Sequence, residues 1–133
     1  MAERSGFVVV AFSPQPSLAY FMKGVLDCAG FQTMAASSSP DDLEALLLSV
    51  RPDAIVYDVS FPYAENWRNL EELRNRDTLR DTPIVVTTSE ANELRRRVGV
   101  STAIELFARP ADLAAFQRAV LSAIESASPS HAA

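Results

Sequence analysis

Polar side chains that could take part in chemistry follow four apolar runs of this chain. Asp58 comes directly after residues 54–57, Ala-Ile-Val-Tyr, and a carboxylate in that position costs free energy unless it is solvated, paired or used. Thr87 opens a cluster of three hydroxyl residues after a second run, Arg109 follows a third, and Ser13 follows the first. Because a guanidinium can bind a carboxylate through two parallel hydrogen bonds, Arg109 is a candidate partner for Asp58.

The residues needed for several other kinds of site are missing. The only histidine, His131, lies in the C-terminal tail, so the sequence does not support a Ser-His or Cys-His nucleophile, and we expect no enzyme. Loops that bind phosphate need glycines for close backbone approach, but residues 13–17 contain two prolines and no glycine. A small-molecule binder is therefore an alternative that the loops do not favour, and a cofactor retained through purification would support it.

The composition is that of one domain with its own hydrophobic core. Of 133 residues 48% are hydrophobic, yet no apolar run reaches the ~18 residues of a membrane span. The net charge of -5 argues against direct nucleic-acid binding, and no basic amphipathic helix suggests binding to a membrane surface. With one cysteine, Cys28, and no signal-peptide pattern, we predict a cytoplasmic protein whose Cys28 packs against the sheet or its rim.

Short β-branched runs alternate with amphipathic stretches along the chain, which is typical of βαβ units. Strands are predicted at 7–12, 31–36, 54–59, 84–88 and 103–108, with the second near an edge of the sheet. Apolar residues at helical spacing predict helices at 18–29, 40–50, 67–74, 90–98 and 112–124. Ser39 is the predicted N-cap of the second helix, because a proline and two aspartates follow it.

Five strands and five helices in strict alternation predict a three-layer α/β/α fold. The expected sheet is doubly wound and flavodoxin-like, with five parallel strands in the order 2-1-3-4-5. Right-handed crossovers bring the carboxyl ends of strands one, three, four and five to one edge, where ligands of such sheets bind. We predict a domain over residues 1–125 and a flexible tail over 126–133.

Taken together, these segments resemble the receiver domains of bacterial two-component response regulators. Residues 51–58 with Pro62 are similar to the phosphoacceptor segment of the family, and residues 82–88 are similar to its fourth strand. Arg109-Pro110 stands where the family has a Lys-Pro pair, and residues 18–31 match its first helix. The resemblance extends from residue 7 to about 124 and rests on the order and spacing of the pieces, since no single piece is diagnostic.

The resemblance implies a role for each matching residue. Asp58 would accept the phosphoryl group, Thr88 would be the hydroxyl that bonds this group and moves, and Arg109 would contact a phosphate oxygen. The backbone carbonyl of Ser60 would be a metal ligand. The upstream partner of such a domain would be a histidine kinase or a phosphotransfer protein.

The chain departs from the family at the acid pair that holds Mg²⁺. Counting back from the first helix, the two acids fall on Ser13 and Pro14, and neither side chain is a good ligand for this cation. If any metal binds, its ligands would be Asp58, the Ser60 carbonyl and Gln15. We therefore expect Mg²⁺ binding to be weak or absent, and no other cofactor.

Two further positions differ from the family in ways that affect signalling. The aromatic switch position three residues before the lysine falls on Leu106, so an aromatic rotamer switch is not available there. The position eight residues after the acceptor, which is often small in the family, is Asn66.

Two functional interpretations stay open from the sequence. One is a phosphorelay receiver in which Asp58 is phosphorylated, although impaired by the missing acids. The other is a pseudo-receiver that acts without phosphorylation, by binding a partner protein or forming a homodimer. In both, the predicted contact surface is the last strand with its flanking helices, including the basic run at residues 95–97. Arg109 could hold Asp58 in the space of the missing metal.

Overall fold

The computed structural model describes residues 6–37, 39–99, 102–106 and 111–127. Five parallel strands form one sheet in the order β2-β1-β3-β4-β5, which confirms the predicted topology. The strands are β1 (Val8–Phe12), β2 (Gln32–Ala36), β3 (Ala54–Asp58), β4 (Ile84–Thr88) and β5 (Ile104–Glu105). The α-helices are α1 (Pro16–Cys28), α2 (Pro40–Val50), α3 (Tyr63–Arg74), α4 (Ala91–Val98) and α5 (Ala111–Ser126), and a 3-10 helix spans Asp77–Leu79.

The sheet separates two hydrophobic cores, which gives the predicted three layers. Side chains of α1 and α5 pack on one face with alternate sheet residues such as Val56, and side chains of α2, α3 and α4 pack on the other with residues such as Ile55. All five residues of β3 are buried, as expected for a central parallel strand. Since side chains alternate along a strand, Asp58 lies on the same side as Val56 and faces the α1 and α5 layer.

Local sequence features account for several helix ends. The Ser39 hydroxyl accepts a hydrogen bond from the Asp42 backbone N–H at 3.3 Å, and Pro40 occupies the first turn, which confirms the predicted N-cap of α2. Gly30 after α1 and Gly99 after α4 both have positive φ, at 97° and 87°. Glycine adopts this left-handed conformation without the steric cost that other residues carry.

Several predicted boundaries differ from the structure by one to four residues. Helix α3 begins at Tyr63, four residues before the predicted start, because Tyr63 and Asn66 are also buried and extend the inner stripe. Strand β5 is only two residues long, and residues 107 and 108 of the predicted strand lie outside the described residues. Helix α5 continues to Ser126, past the predicted domain end, since its backbone hydrogen bonds do not depend on the polarity of the last side chains.

The outer face of α1 also differs from the prediction. Cys28 is exposed instead of packed against the sheet, and Phe21, an apolar residue inside the predicted first helix, is 39% exposed. The residues of α1 that the sheet buries are Leu18, Ala19, Met22 and Leu26. None of the helices described by the structure is both long and apolar enough to cross a bilayer.

Candidate functional site

Asp58 lies in a row of three polar side chains at the carboxyl ends of neighbouring strands. The parallel registers pair Phe12 with Tyr57 and Asp58 with Thr87, so Ser13 follows β1 directly beside Asp58. The Ser13 hydroxyl donates to Asp58 Oδ2 at 3.1 Å, and the Thr87 hydroxyl donates to Asp58 Oδ1 at 3.1 Å. Each carboxylate oxygen of Asp58 therefore already accepts a hydrogen bond from a neutral hydroxyl.

The row is sealed from solvent. Ser13, Asp58 and Thr87 are all 0% exposed. The Ser13 hydroxyl also accepts from the Gln15 backbone N–H at 3.1 Å, and the Thr87 hydroxyl lies 3.8 Å from the sulfur of Met22 on α1. The Ser13 hydroxyl is thus also held by the residue that precedes α1, and the Thr87 hydroxyl lies against a side chain from the middle of α1.

Burial raises the pKa of Asp58 to about 6, although the hydrogen bonds from Ser13 and Thr87 oppose this shift. Hydroxyl dipoles replace only part of the hydration that a carboxylate loses on burial, which is why the charged form is disfavoured. Arg109, predicted to pair with Asp58, lies outside the described residues together with Pro110, so this pairing stays a prediction.

Thr88 occupies a different environment from Thr87. Its hydroxyl is also buried, but it accepts from the Glu90 backbone N–H at 3.3 Å and so belongs to the turn that leads into α4. The role of Thr88 as the switch hydroxyl stays a prediction. The threonine that donates a hydrogen bond to Asp58 is Thr87. Sequence reasoning named Thr87 only as part of a hydroxyl cluster. Identifying Thr87 as the partner of Asp58 would have required the register between the third and fourth strands.

The segment after β3 is held by a side chain of α3. The Asn66 side-chain amide donates to the Ser60 carbonyl at 2.8 Å, and both residues are almost fully buried. The carbonyl predicted as a metal ligand therefore already has a donor. Asn66 was noted in the sequence only as a departure from a small residue, and nothing there indicated its contact with Ser60.

The residues present do not fit a divalent cation at this position. Mg²⁺ takes oxygen ligands in near-octahedral geometry, usually including carboxylates. Asp58 is the one carboxylate of the row, Ser13 is committed to two hydrogen bonds, Pro14 has no side-chain ligand and Gln15 is exposed. The described residues contain no cluster of three or more His, Cys, Asp or Glu side chains that could hold a metal ion.

Comparison with known proteins agrees with the fold. No protein-family model matches the sequence, and no curated protein is similar to it. A sensor protein from Polaromonas sp. JS666 matches with a TM-score of 0.72 and 18% identity, over 91% of this chain and 98% of that one. Chemotaxis protein CheY4 of Vibrio cholerae matches with a TM-score of 0.63 and 21% identity, over 86% and 98% of the two chains.

The receiver domain of the Francisella response regulator 1452 is similar to the same extent. Its TM-score is 0.65 at 19% identity, over 90% of this chain and 98% of that one. At these identities the similarity establishes the fold. It confirms the receiver-type fold that the residue pattern predicted.

Proposed function

We propose that this chain is an atypical receiver-like domain of two-component phosphorelay signalling, in which Mg²⁺-dependent phosphorylation of Asp58 is impaired or absent. It acts by contact with a partner, as a pseudo-receiver does. The observation that carries the proposal is the closed row at Asp58, where both carboxylate oxygens accept hydroxyl hydrogen bonds and no part of the side chain is exposed.

Phosphoryl transfer requires an accessible acceptor and neutralised charge. The attacking oxygen must lie in line with the leaving group, and cations normally balance the charge on the transferred phosphoryl. Asp58 presents neither oxygen to solvent, and its described neighbours Ser13 and Thr87 are neutral. The hydroxyl row therefore supports a structural role for Asp58, joining β1, β3 and β4 at the end of the sheet.

The proposed contact surface includes α4 and the strand and helix next to it. Arg96 and Arg97 both pair with Glu93, and Arg95 donates to Asn92 at 2.9 Å. These contacts order the basic side chains on the outer face of α4. A partner protein with acidic residues would complement this surface.

Intact-mass measurement after incubation with Mg²⁺ and acetyl phosphate tests the proposal. We expect no phosphoryl adduct on the wild-type protein, as on the Asp58→Asn control. The variant with Ser13→Asp and Pro14→Asp restores the acid pair, and we expect it to gain an adduct that Asp58→Asn removes. Trp67 fluorescence checks that each variant is folded. A wild-type adduct that Asp58→Asn abolishes would reject the proposal and make the chain a working receiver, with a histidine kinase or phosphotransfer protein as its donor.

A further inference from the structure

The outward face of α1 is almost without charge. Of its 13 residues only Lys23 and Asp27 are charged, and they pair with each other at 2.6 Å. A stripe of Tyr20, Gly24 and Cys28, spaced four residues apart, points to solvent, and Tyr20 is 68% exposed. Surface helices normally carry charged residues on this face, and helices that are apolar all round are normally covered.

Helices α3 and α4, which lie on the opposite side of the sheet from α1, carry charged pairs on their outer faces, as surface helices normally do. The outer face of α3 carries the pair Glu71 and Arg74, and that of α4 carries Glu93 with two arginines. The outward stripe of α1 at Tyr20, Gly24 and Cys28 therefore lacks the charged pairs that the outer faces of α3 and α4 carry.

The shape of the α1 face allows a helix to approach closely. An open groove of about 320 Å³ is lined by Tyr20, Phe21, Gly24, Val25 and Cys28. A Cβ atom added at Gly24 would meet no atom within 4 Å, so the space above this residue is empty. Tyr20 stands beside the groove as the largest projecting side chain of the stripe. The outward face of α1 thus carries both a projection, Tyr20, and a depression, the groove at Gly24.

We propose that the α1 face binds α1 of a second copy of this chain, antiparallel about a two-fold axis near Gly24. In that arrangement Tyr20 of each copy meets the groove beside Gly24 and Cys28 of the other. Lys23 and Asp27 lie on the same side of the stripe, so reversing the helix brings Lys23 of one copy near Asp27 of the other. A two-fold interface requires such a self-complementary surface, and α1 supplies the projection, the groove and both charges.

This inference rests on the proposed function, because it adds a second contact surface, at α1, to a domain that acts by contact through α4. A helix of this length is roughly 20 Å long. Its contact area falls at the small end of specific interfaces, so we expect dissociation at roughly micromolar concentration.

Sedimentation velocity over a concentration series tests the dimer. We expect the wild type to shift from monomer to dimer, and Tyr20→Glu and Gly24→Gln each to raise the dissociation constant about tenfold or more. Leu48→Glu is the matched control, because Leu48 is 41% exposed on α2, and it should leave the dimer unchanged. Replacing a helical glycine should raise the melting temperature of the monomer, so unfolding could not explain a lost dimer in Gly24→Gln.

Mixing two charge variants tests the antiparallel arrangement. Lys23→Glu and Asp27→Lys should each dimerise more weakly alone, since like charges then meet, and an equimolar mixture should recover the dimer. A monomer at every concentration, a dimer insensitive to Tyr20→Glu and Gly24→Gln, or no recovery on mixing would overturn the inference. The phosphoryl adduct is measured separately, so a wild-type adduct would reject the proposed function and a persistent monomer would reject only the dimer.

Discussion

At the scale of single residues, the defining feature is a buried carboxyl group with two hydroxyl partners. Ser13 and Thr87 satisfy the oxygens of Asp58 but supply no positive charge. A carboxyl group in this setting is more stable when protonated, which is the reason that burial raises its pKa to about 6. The ionisation of Asp58 is therefore unfavourable for folding.

The raised pKa predicts how stability depends on pH. Between the unfolded pKa of 3.8 and the folded pKa of about 6, the folded state binds more protons, so the free energy of unfolding falls as pH rises through this window. Above pH 6 the cost reaches about 3 kcal/mol, since each pKa unit is worth about 1.4 kcal/mol. Asp58→Asn should therefore be more stable than the wild type above pH 6, and the difference should vanish below 3.8.

Urea unfolding of both proteins across this pH range measures the difference. The amide introduced by Asp58→Asn keeps hydrogen-bonding capacity toward both hydroxyls, which can donate or accept, so packing is retained. The opposite order, with the wild type more stable than Asp58→Asn above pH 6, would contradict the prediction. It would support the pairing of Asp58 with Arg109, because a nearby guanidinium favours the ionised carboxylate.

At the scale of elements, the connection between β3 and α3 is held by a side chain of α3. The hydrogen bond from Asn66 to the Ser60 carbonyl joins the first turns of α3 to the segment that follows Asp58. Because Asn66 and Ser60 are both buried, water cannot replace the amide if it is removed.

Removal of this amide should destabilise the domain. For Asn66→Ala we expect a loss of about 1–3 kcal/mol in the free energy of unfolding, the usual cost of an unsatisfied buried acceptor. Asn69→Ala is the matched control, since Asn69 lies on the same helix with a partly exposed side chain, and it should change stability little. Denaturant unfolding followed through Trp67 compares the two. Equal losses in both variants would mean that the contact with Ser60 contributes nothing specific.

At the scale of the whole molecule, the fold is of the receiver type, and the row at the carboxyl ends of its central strands is closed to solvent. The resemblance to receiver domains implies acids at the positions of Ser13 and Pro14, and the described partners of Asp58 in the row, Ser13 and Thr87, are neutral hydroxyls. Meanwhile α1, on one outer layer, presents an apolar face to solvent. This distribution of side chains is the basis for proposing that the domain acts by contact with partners.

A ligand that binds only the folded state raises its melting temperature, which gives a whole-molecule test of the metal site. We expect Mg²⁺ to leave the melting temperature of the wild type unchanged. The variant with Ser13→Asp and Pro14→Asp should be less stable than the wild type without Mg²⁺, because like charges then face Asp58, and should gain stability with it. A clear rise for the wild type, abolished by Asp58→Asn, would show a metal site with other ligands.

Much of the fold follows from the sequence because its causes are local. Apolar runs of five or six residues between amphipathic stretches predict the strands, and the cap at Ser39 with its proline predicts the start of α2. The right-handed crossover rule then orders the sheet, since few alternatives remain for a strict alternation of strands and helices. The end of the apolar run at residues 54–57 gave the position of Asp58 at the edge where such sheets bind ligands, and the resemblance to receiver domains added its implied role.

By itself, the sequence determined the fold and the position of Asp58 at the end of the third strand, while the missing acid pair stays a prediction from the resemblance. Only the tertiary structure decided that Thr87 contacts Asp58, that Asn66 binds the Ser60 carbonyl, and that the stripe containing Tyr20 faces outward. The physical reason is that these contacts join segments distant in the chain. Which hydroxyl meets a carboxylate depends on the register between strands, and which face of a helix is covered depends on how its neighbours pack.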